Sequence, residues 1–314
     1  MPDVSVIIAT RNRREICERS VASALAQQGC AFEVIVVDDG SNDETGPYIA
    51  AKFPNVIVKT LRPGIGTSAA RNVAALAASS PILAWIDDDA VFAEPDTLAR
   101  TIQAFSHPRI GAVAVPFVNH RDGAEEPSVV PPAPDASRIW LTSSFVGVAC
   151  AIRRAVYNDL GGCEPRLVHW VEEAEFGVRL HGAGYVIRIG RHGLIRHYII
   201  ASKYNAKSMR RLARNTLFAV WLNVPALYAP GVMAGQIARG LVESVRSRGQ
   251  GLAKLTGLGW GIGSSLLAWP TRRPISRQAY RAYLEIRRRK PVLLEDIEPR
   301  LPPRVDFSDQ VATR

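Results

Sequence analysis

Three consecutive carboxylates, Asp87-Asp88-Asp89, follow directly on the apolar run Pro81-Ile82-Leu83-Ala84-Trp85-Ile86. Like charges packed at a strand end repel one another, and each loses hydration. A fold holds them most readily with a cation among them. Oxygen ligands suit the hard ions Mg²⁺ and Mn²⁺, which in turn hold phosphates. The tripeptide points either to a metal bridge to a diphosphate or to a solvated acidic turn.

The chain leading up to it has a simple rhythm. Val4-Ser5-Val6-Ile7-Ile8-Ala9, Phe32-Glu33-Val34-Ile35-Val36-Val37 and residues 56–61 read as short buried strands. Ile16, Val21, Ala24 and Leu25 recur at helical spacing within residues 15–28, and a second helix is expected over 69–78. Asp38-Asp39-Gly40-Ser41-Asn42-Asp43 is a turn that opens another helix, with Asp43 or Ser41 as its N-cap. Strands alternating with helices in this way predict an open, mainly parallel α/β sheet. Ligands of such sheets bind beyond the C-terminal strand ends, where residues 10–14, 38–43 and 87–89 converge.

Further on, residues 119–137 carry four prolines and no periodicity, which predicts an exposed loop, a mobile lid over a site. Ser144 to Ile152 is expected to be a strand and Arg153 to Leu160 a short helix closed by Gly161-Gly162. A helix opening near His169 and running to about His181 is followed by a strand over Tyr185 to Ile189.

Charge divides the chain. Residues 1–189 hold 17 Lys/Arg and 22 Asp/Glu, whereas residues 190–314 hold 22 and 7, so the two parts face different surroundings. Residues 215–238 and 255–271 are uncharged but broken by proline, glycine and amides. A spanning helix needs ~20 strongly apolar residues. Trp221, Trp260 and Trp269 beside arginine clusters fit an interfacial helical region on an anionic membrane, or a helical appendage packed on the sheet. The run Arg287-Arg288-Arg289-Lys290 has no aromatic-interleaved surround, which argues against a nucleic-acid site. Ala9-Thr10-Arg11-Asn12 after the first strand lacks the glycine fingerprint of a dinucleotide-binding dehydrogenase. Four cysteines without CxxC spacing read as buried thiols in a reducing compartment, and no signal-peptide pattern is expected at the N-terminus.

Four stretches together resemble the inverting GT-A glycosyltransferases of family 2. They are residues Val4 to Arg13, Val36 to Asp43, Ser68-Ala69-Ala70-Arg71-Asn72, and Ile86 to Asp89. Gly161-Gly162-Cys163-Glu164, leading to Glu172-Glu173-Ala174-Glu175-Phe176 and Arg179-Leu180, is similar to the acceptor-side segment of that family. The resemblance covers about residues 3–200. It implies a catalytic domain over 1–200 of GT-A fold, a nucleotide-diphosphate sugar donor and Mn²⁺ or Mg²⁺, leaving 201–314 as the helical, basic, membrane-associating region.

By position, the resemblance makes Asp39 the acceptor of a hydrogen bond from N3–H of uracil or thymine, with Thr10 lining the base pocket. Arg11 stands where an aromatic is common, so guanidinium stacking would replace ring stacking, and Ala9 replaces a frequent proline. Arg71 would lie near the base or diphosphate, if it is not a helix-surface ion pair. Asp87 and Asp88 would contact the ribose or donor sugar and Asp89 the metal. His197 sits where some members place another metal ligand; His192 is its local rival, and a structural histidine is the alternative. The catalytic base falls at Glu173, where the family has aspartate, with Glu172 as its neighbour, touching the acceptor or raising the pKa of Glu173 by repulsion. Trp170 would be a platform for sugar or acceptor, or a plain packing residue. Glu175, about 200° around a helix from Glu173, would point elsewhere.

The expected activity is transfer from a UDP- or dTDP-sugar to a lipid-linked or cell-surface glycan, at the cytoplasmic face of the cell membrane. The alternatives are a small soluble acceptor, or a catalytically weak nucleotide-sugar-binding scaffold.

Overall fold

The computed structural model describes residues 1–121, 123–191, 195–199, 205–247, 249–289 and 291–307. His192 and Lys290 lie outside the described residues.

β1 (Val4–Thr10), β2 (Phe32–Asp38), β3 (Ile57–Thr60) and β4 (Ile82–Ile86) alternate with α1 (Arg14–Leu25), α2 (Thr45–Lys52) and α3 (Thr67–Ala77). Then come β5 (Ala90–Phe92), α4 (Thr97–Gln103), β6 (Ile110–Ala114), β7 (Phe117–Arg121), β8 (Ala124–Val130), β9 (Trp140–Thr142) and β10 (Ala149–Arg153). α5 (Arg154–Asp159), α6 (Glu172–Gly182), β11 (Val186–Ile189) and β12 (Ile195–Tyr198) complete the acidic part. The basic part holds α7 (Ala206–Asn223), α8 (Ala229–Arg246), α9 (Gly251–Leu267), α10 (Arg277–Arg289), β13 (Val292–Leu293) and α11 (Leu294–Ile297).

The main sheet has nine strands in the order β13-β9-β11-β6-β10-β4-β1-β2-β3. β3, β2, β1 and β4 run parallel, so Thr10, Asp38 and Ile86 end on one edge. β10 enters antiparallel between β4 and β6. Strand alternation divides β1 between two cores. Val4, Val6 and Ile8 pack with Cys17 and Val21 of α1. Ile7 packs with Ala70 and Ala74 of α3 and with Phe176 and Leu180 of α6. All four cysteines are free thiols.

Three expectations need correction. Within the expected loop over 119–137, residues 119–121 and 124–130 are instead in β7 and β8, which pair as a hairpin of a second sheet in the order β5-β12-β7-β8. Toward its turn the cross-strand contacts are polar: Arg121 meets Glu126 at 2.8 Å and His120 meets Glu125 at 3.1 Å. Such pairs hold a hairpin without the apolar alternation that marks a strand in sequence. The expected strand over 144–152 begins only at Ala149, because residues 145–148 turn, with a bridge from Val146 to Ala149. At α2 the N-cap is Glu44, while Asp43 accepts hydrogen bonds from the Thr45 amide and hydroxyl.

The basic part packs mainly as α7, α8 and α9. Its end returns to the sheet: β13 pairs with β9, and Ala282, Ile286, Val292, Leu294, Ile297 and Leu301 join the main core. Among the described residues no helix is long and apolar enough to cross a membrane.

Candidate functional site

Beyond the ends of β1, β2 and β4 lies a cavity of about 620 Å³ lined by Thr10, Arg11, Arg13, Asp39, Asp87, Asp88 and the 64–67 loop. Lys207 and Arg211 of α7 line its opposite wall. Asp39 Oδ1 accepts from the amides of Ile65 at 2.6 Å and Gly66 at 3.2 Å, and Oδ2 from Gly66 at 2.9 Å. Two loops press backbone to backbone here: a Cβ on Gly40 would stand 2.6 Å from Gly64 N, so only glycine fits.

The three aspartates diverge. Asp88 is buried and turns back to Thr10, whose hydroxyl donates at 2.9 Å, and to Arg13 Nη1 at 2.7 Å. Burial pushes its carboxyl up to about 6, against the pull of Arg13. Asp87 and Asp89 come together with His197, and the three offer ligand atoms within 4.8 Å of one another, while Arg13 Nη1 also reaches Asp89 Oδ2 at 3.3 Å. Strand register explains the meeting. His197 on β12 lies opposite Ala90, next to Asp89, on one side and opposite Asn119 on the other. Asn119 Oδ1 is 2.8 Å from His197 Nδ1. An amide oxygen only accepts, so Nδ1 carries a proton, and in the neutral ring Nε2 presents a lone pair. That lone pair faces Asp89 Oδ1 at 3.4 Å. Two carboxylates and an imidazole in this arrangement could hold a divalent cation, and the donor set suits Mn²⁺ or Mg²⁺.

Arg71 forms the floor. It is 4% exposed, so it is not a helix-surface ion pair, and it does not itself line the cavity above. Its Nη2 reaches Asp87 at 2.9 Å and its Nη1 reaches Glu172 at 3.3 Å and Glu173 at 3.4 Å. The guanidinium stacks over Trp85 at 4.8 Å. Gly147 binds both partners: its carbonyl accepts from Arg71 at 3.2 Å and its amide donates to Glu173 Oε1 at 3.0 Å.

Glu172 and Glu173 differ in kind. Glu172 is buried, and burial, with Glu173 adding repulsion, lifts its carboxyl well above the usual carboxylate range. Glu173 reaches a second cavity of about 200 Å³, shared with Trp170, His169, Asp87, Arg71, Asn119 and His197. Glu175 faces away, paired to Arg179 at 2.6 Å and to Asn223 at 2.8 Å.

The structure thus gathers Thr10, Arg11, Asp39, Asp87 and Asp88 around the larger cavity. It gathers Arg71, Trp170, Glu172, Glu173 and His197 around the smaller one. Sequence reasoning missed Arg13, Asn119, Gly147, Lys207 and Arg211. Arg13 sat in the polar 10–14 segment without a role; the others are brought in by strand register and by α7, which no local pattern reveals.

The family model described as glycosyl transferase family 2 matches residues 5–161, half of the chain. The succinoglycan biosynthesis protein ExoO of Rhizobium meliloti is 38% identical over 104 residues, 33% of this chain and 30% of that protein. The O-antigen chain rhamnosyltransferase RfbN of Salmonella typhimurium is 25% identical over 209 residues, 62% of this chain and 66% of that protein. The chain thus spans less than two thirds of the length of these relatives. Among solved structures, the mannosyltransferase PcManGT from Pyrobaculum calidifontis, in complex with GDP-Man and Mn²⁺, matches with a TM-score of 0.55 at 19% identity. That match covers 90% of this chain and 79% of the other. TarS of S. aureus (residues 1–349) in complex with UDP matches with a TM-score of 0.53 at 20% identity, over 68% and 65%. Both likenesses are of fold, the GT-A fold.

Proposed function

Because the chain belongs to glycosyl transferase family 2, we propose that it is an inverting, metal-dependent enzyme. It moves a sugar from a UDP- or dTDP-sugar to a hydroxyl of a lipid-linked or cell-surface glycan. The observation that carries this reading is the place of Asp87, which lines both cavities and joins the metal-ligand cluster to the pair of glutamates. The names of the succinoglycan and O-antigen relatives support the acceptor class.

Asp39, Thr10 and Arg11 hold the base. Asp88, tied by Thr10 and Arg13, braces the wall beneath it, and Asp87 turns toward the donor sugar. Asp89 and His197, with Asp87, would hold Mn²⁺ or Mg²⁺, which would offset charge on the leaving diphosphate. Glu173 takes the proton of the acceptor hydroxyl as its oxygen attacks the anomeric carbon from the face opposite the diphosphate. The bond to the diphosphate breaks, and its electron pair leaves with the nucleotide. Glu172, whose carboxyl burial pushes upward, shares Arg71 Nη1 with Glu173, and Arg71 aligns Asp87 and Glu173. Trp170 offers a ring to the sugar or acceptor.

Residues 201–314 are proposed to seat the enzyme on the cytoplasmic face of an anionic membrane. Leu252, Leu255, Trp260, Leu266, Leu267 and Trp269 are exposed, in a part of the chain dominated by arginine and lysine.

Calorimetry with UDP and dTDP, each with and without Mn²⁺, followed by turnover of Glu173→Gln, tests the reading. Metal-dependent binding of one nucleotide is expected, with turnover removed and binding kept in the variant. Folded protein that binds neither nucleotide sinks the donor site, and full turnover in the variant sinks Glu173 as the base.

A further inference from the structure

The turn just before α6 is held in a costly shape. Val168, Trp170 and Val171 have φ of 64°, 73° and 76°, and none is glycine. Bulky and β-branched side chains are strained there, and such strain persists only where the surroundings impose it. Every carbonyl of residues 167–170 is tied down. The Ser68 amide donates to Val168 O at 3.1 Å. Asn215 Nδ2 lies 2.8 Å from Leu167 O, 2.9 Å from His169 O and 3.0 Å from Trp170 O.

Asn215 is fully buried on α7, beyond the residues the family model matches. Its orientation is set by its neighbour. Arg214 Nη1 donates to Asn215 Oδ1 at 3.0 Å, so the amide NH₂ must face the turn. Arg214 in turn donates to Arg166 O at 2.9 Å and stacks over Phe218 at 4.1 Å. The turn so held carries His169 and Trp170 and leads directly into Glu172 and Glu173.

We propose that Asn215 is a positioning residue: it clamps the 167–170 backbone so that Trp170 and Glu173 face the transfer cavity, which makes α7 a working part of the acceptor side. The inference rests on the function proposed above. Hydrogen exchange over residues 167–173, in the full chain and in Asn215→Asp, tests the clamp without any substrate. Aspartate keeps the shape but brings no donor to the three carbonyls. Exchange about tenfold faster or more is expected in the variant; equal exchange overturns the clamp.

Turnover of whichever UDP- or dTDP-sugar the wild type uses then tests the positioning. A kcat about tenfold lower or more is expected, with donor KM and Mn²⁺-dependent UDP or dTDP affinity little changed. Adding Val171→Gly, which relieves the φ strain, should restore part of the loss. An unchanged kcat in a folded variant, or a loss that Val171→Gly does not recover, overturns it. Should Asn215→Asp fail to fold, exchange in the wild type decides: a turn exchanging as fast as an exposed loop overturns the clamp, and a protected one supports it. A wild type that binds neither nucleotide sinks the proposed function alone, because the exchange comparison stands without it.

Discussion

A methyl group at Gly147 has no room. Its Cβ would stand 2.5 Å from Arg71 Nη2 and closer still to Glu173 Oε1, so Gly147→Ala pushes both side chains from their places. A misplacement of about 1 Å can cost about a hundredfold in rate. Gly147→Ala is therefore expected to lower kcat by about that factor while the nucleotide, whose proposed site is the other cavity, keeps its affinity. Equal losses in both would place Gly147 in donor binding instead. The same reasoning applies to Asn119, whose side chain fixes the His197 tautomer. Loss of such a partner typically costs about 10–100-fold in metal affinity. Asn119→Leu should weaken Mn²⁺ by that range, read from the metal dependence of UDP or dTDP binding. An unchanged Mn²⁺ requirement would remove His197 from the ligand set.

At the scale of elements, α6 carries the proposed catalytic pair at its start and a buried histidine near its end. Burial pushes His181 down to about 4, so the folded ring stays neutral. The unfolded chain takes up a proton from about pH 6.5 downward. Stability from this group is thus fully present above pH 6.5 and is lost as pH falls toward 4. At pH 5 the loss is roughly 2 kcal/mol. Melting at pH 7 and pH 5 checks it: the wild type should lose more stability than His181→Phe by about that amount. Parallel losses would show that the ring titrates normally.

Elements also mark how far the sequence could be read. The alternation from β1 to β4 and the polar strand ends were legible because they depend on local apolar runs and on the rule that parallel strands end on one edge. The β7–β8 hairpin was not, because its pairs toward the turn are charged rather than apolar. Nor was the 167–170 turn, since Val168, Trp170 and Val171 give no sign of positive φ. Asp89 and Glu173 stood out as residues, but their supports Asn119 and Gly147 arrive through contacts distant in sequence.

For the whole molecule, the question is what the basic, partly apolar C-terminal part faces. Deleting residues 201–314 would not answer it, because that removes β13, the core residues Ile286, Val292, Leu294 and Ile297, and Asn215. Lost vesicle binding would then report unfolding. Val245 and Leu267 are 90% and 87% exposed, so charging them leaves the packing intact. If their surface enters the headgroup boundary, each side chain contributes about 1.5–3 kcal/mol by leaving water. Val245→Glu with Leu267→Glu should then weaken partitioning onto phosphatidylglycerol vesicles by roughly a hundredfold or more. Melting temperature should stay unchanged. Added salt should weaken wild-type binding further, since lysine and arginine act on the lipid charge over a Debye length of about 8–10 Å. Equal binding to neutral phosphatidylcholine vesicles would discard the anionic surface. Equal binding of the double variant would discard the apolar face, leaving charge alone to hold the protein at its substrate.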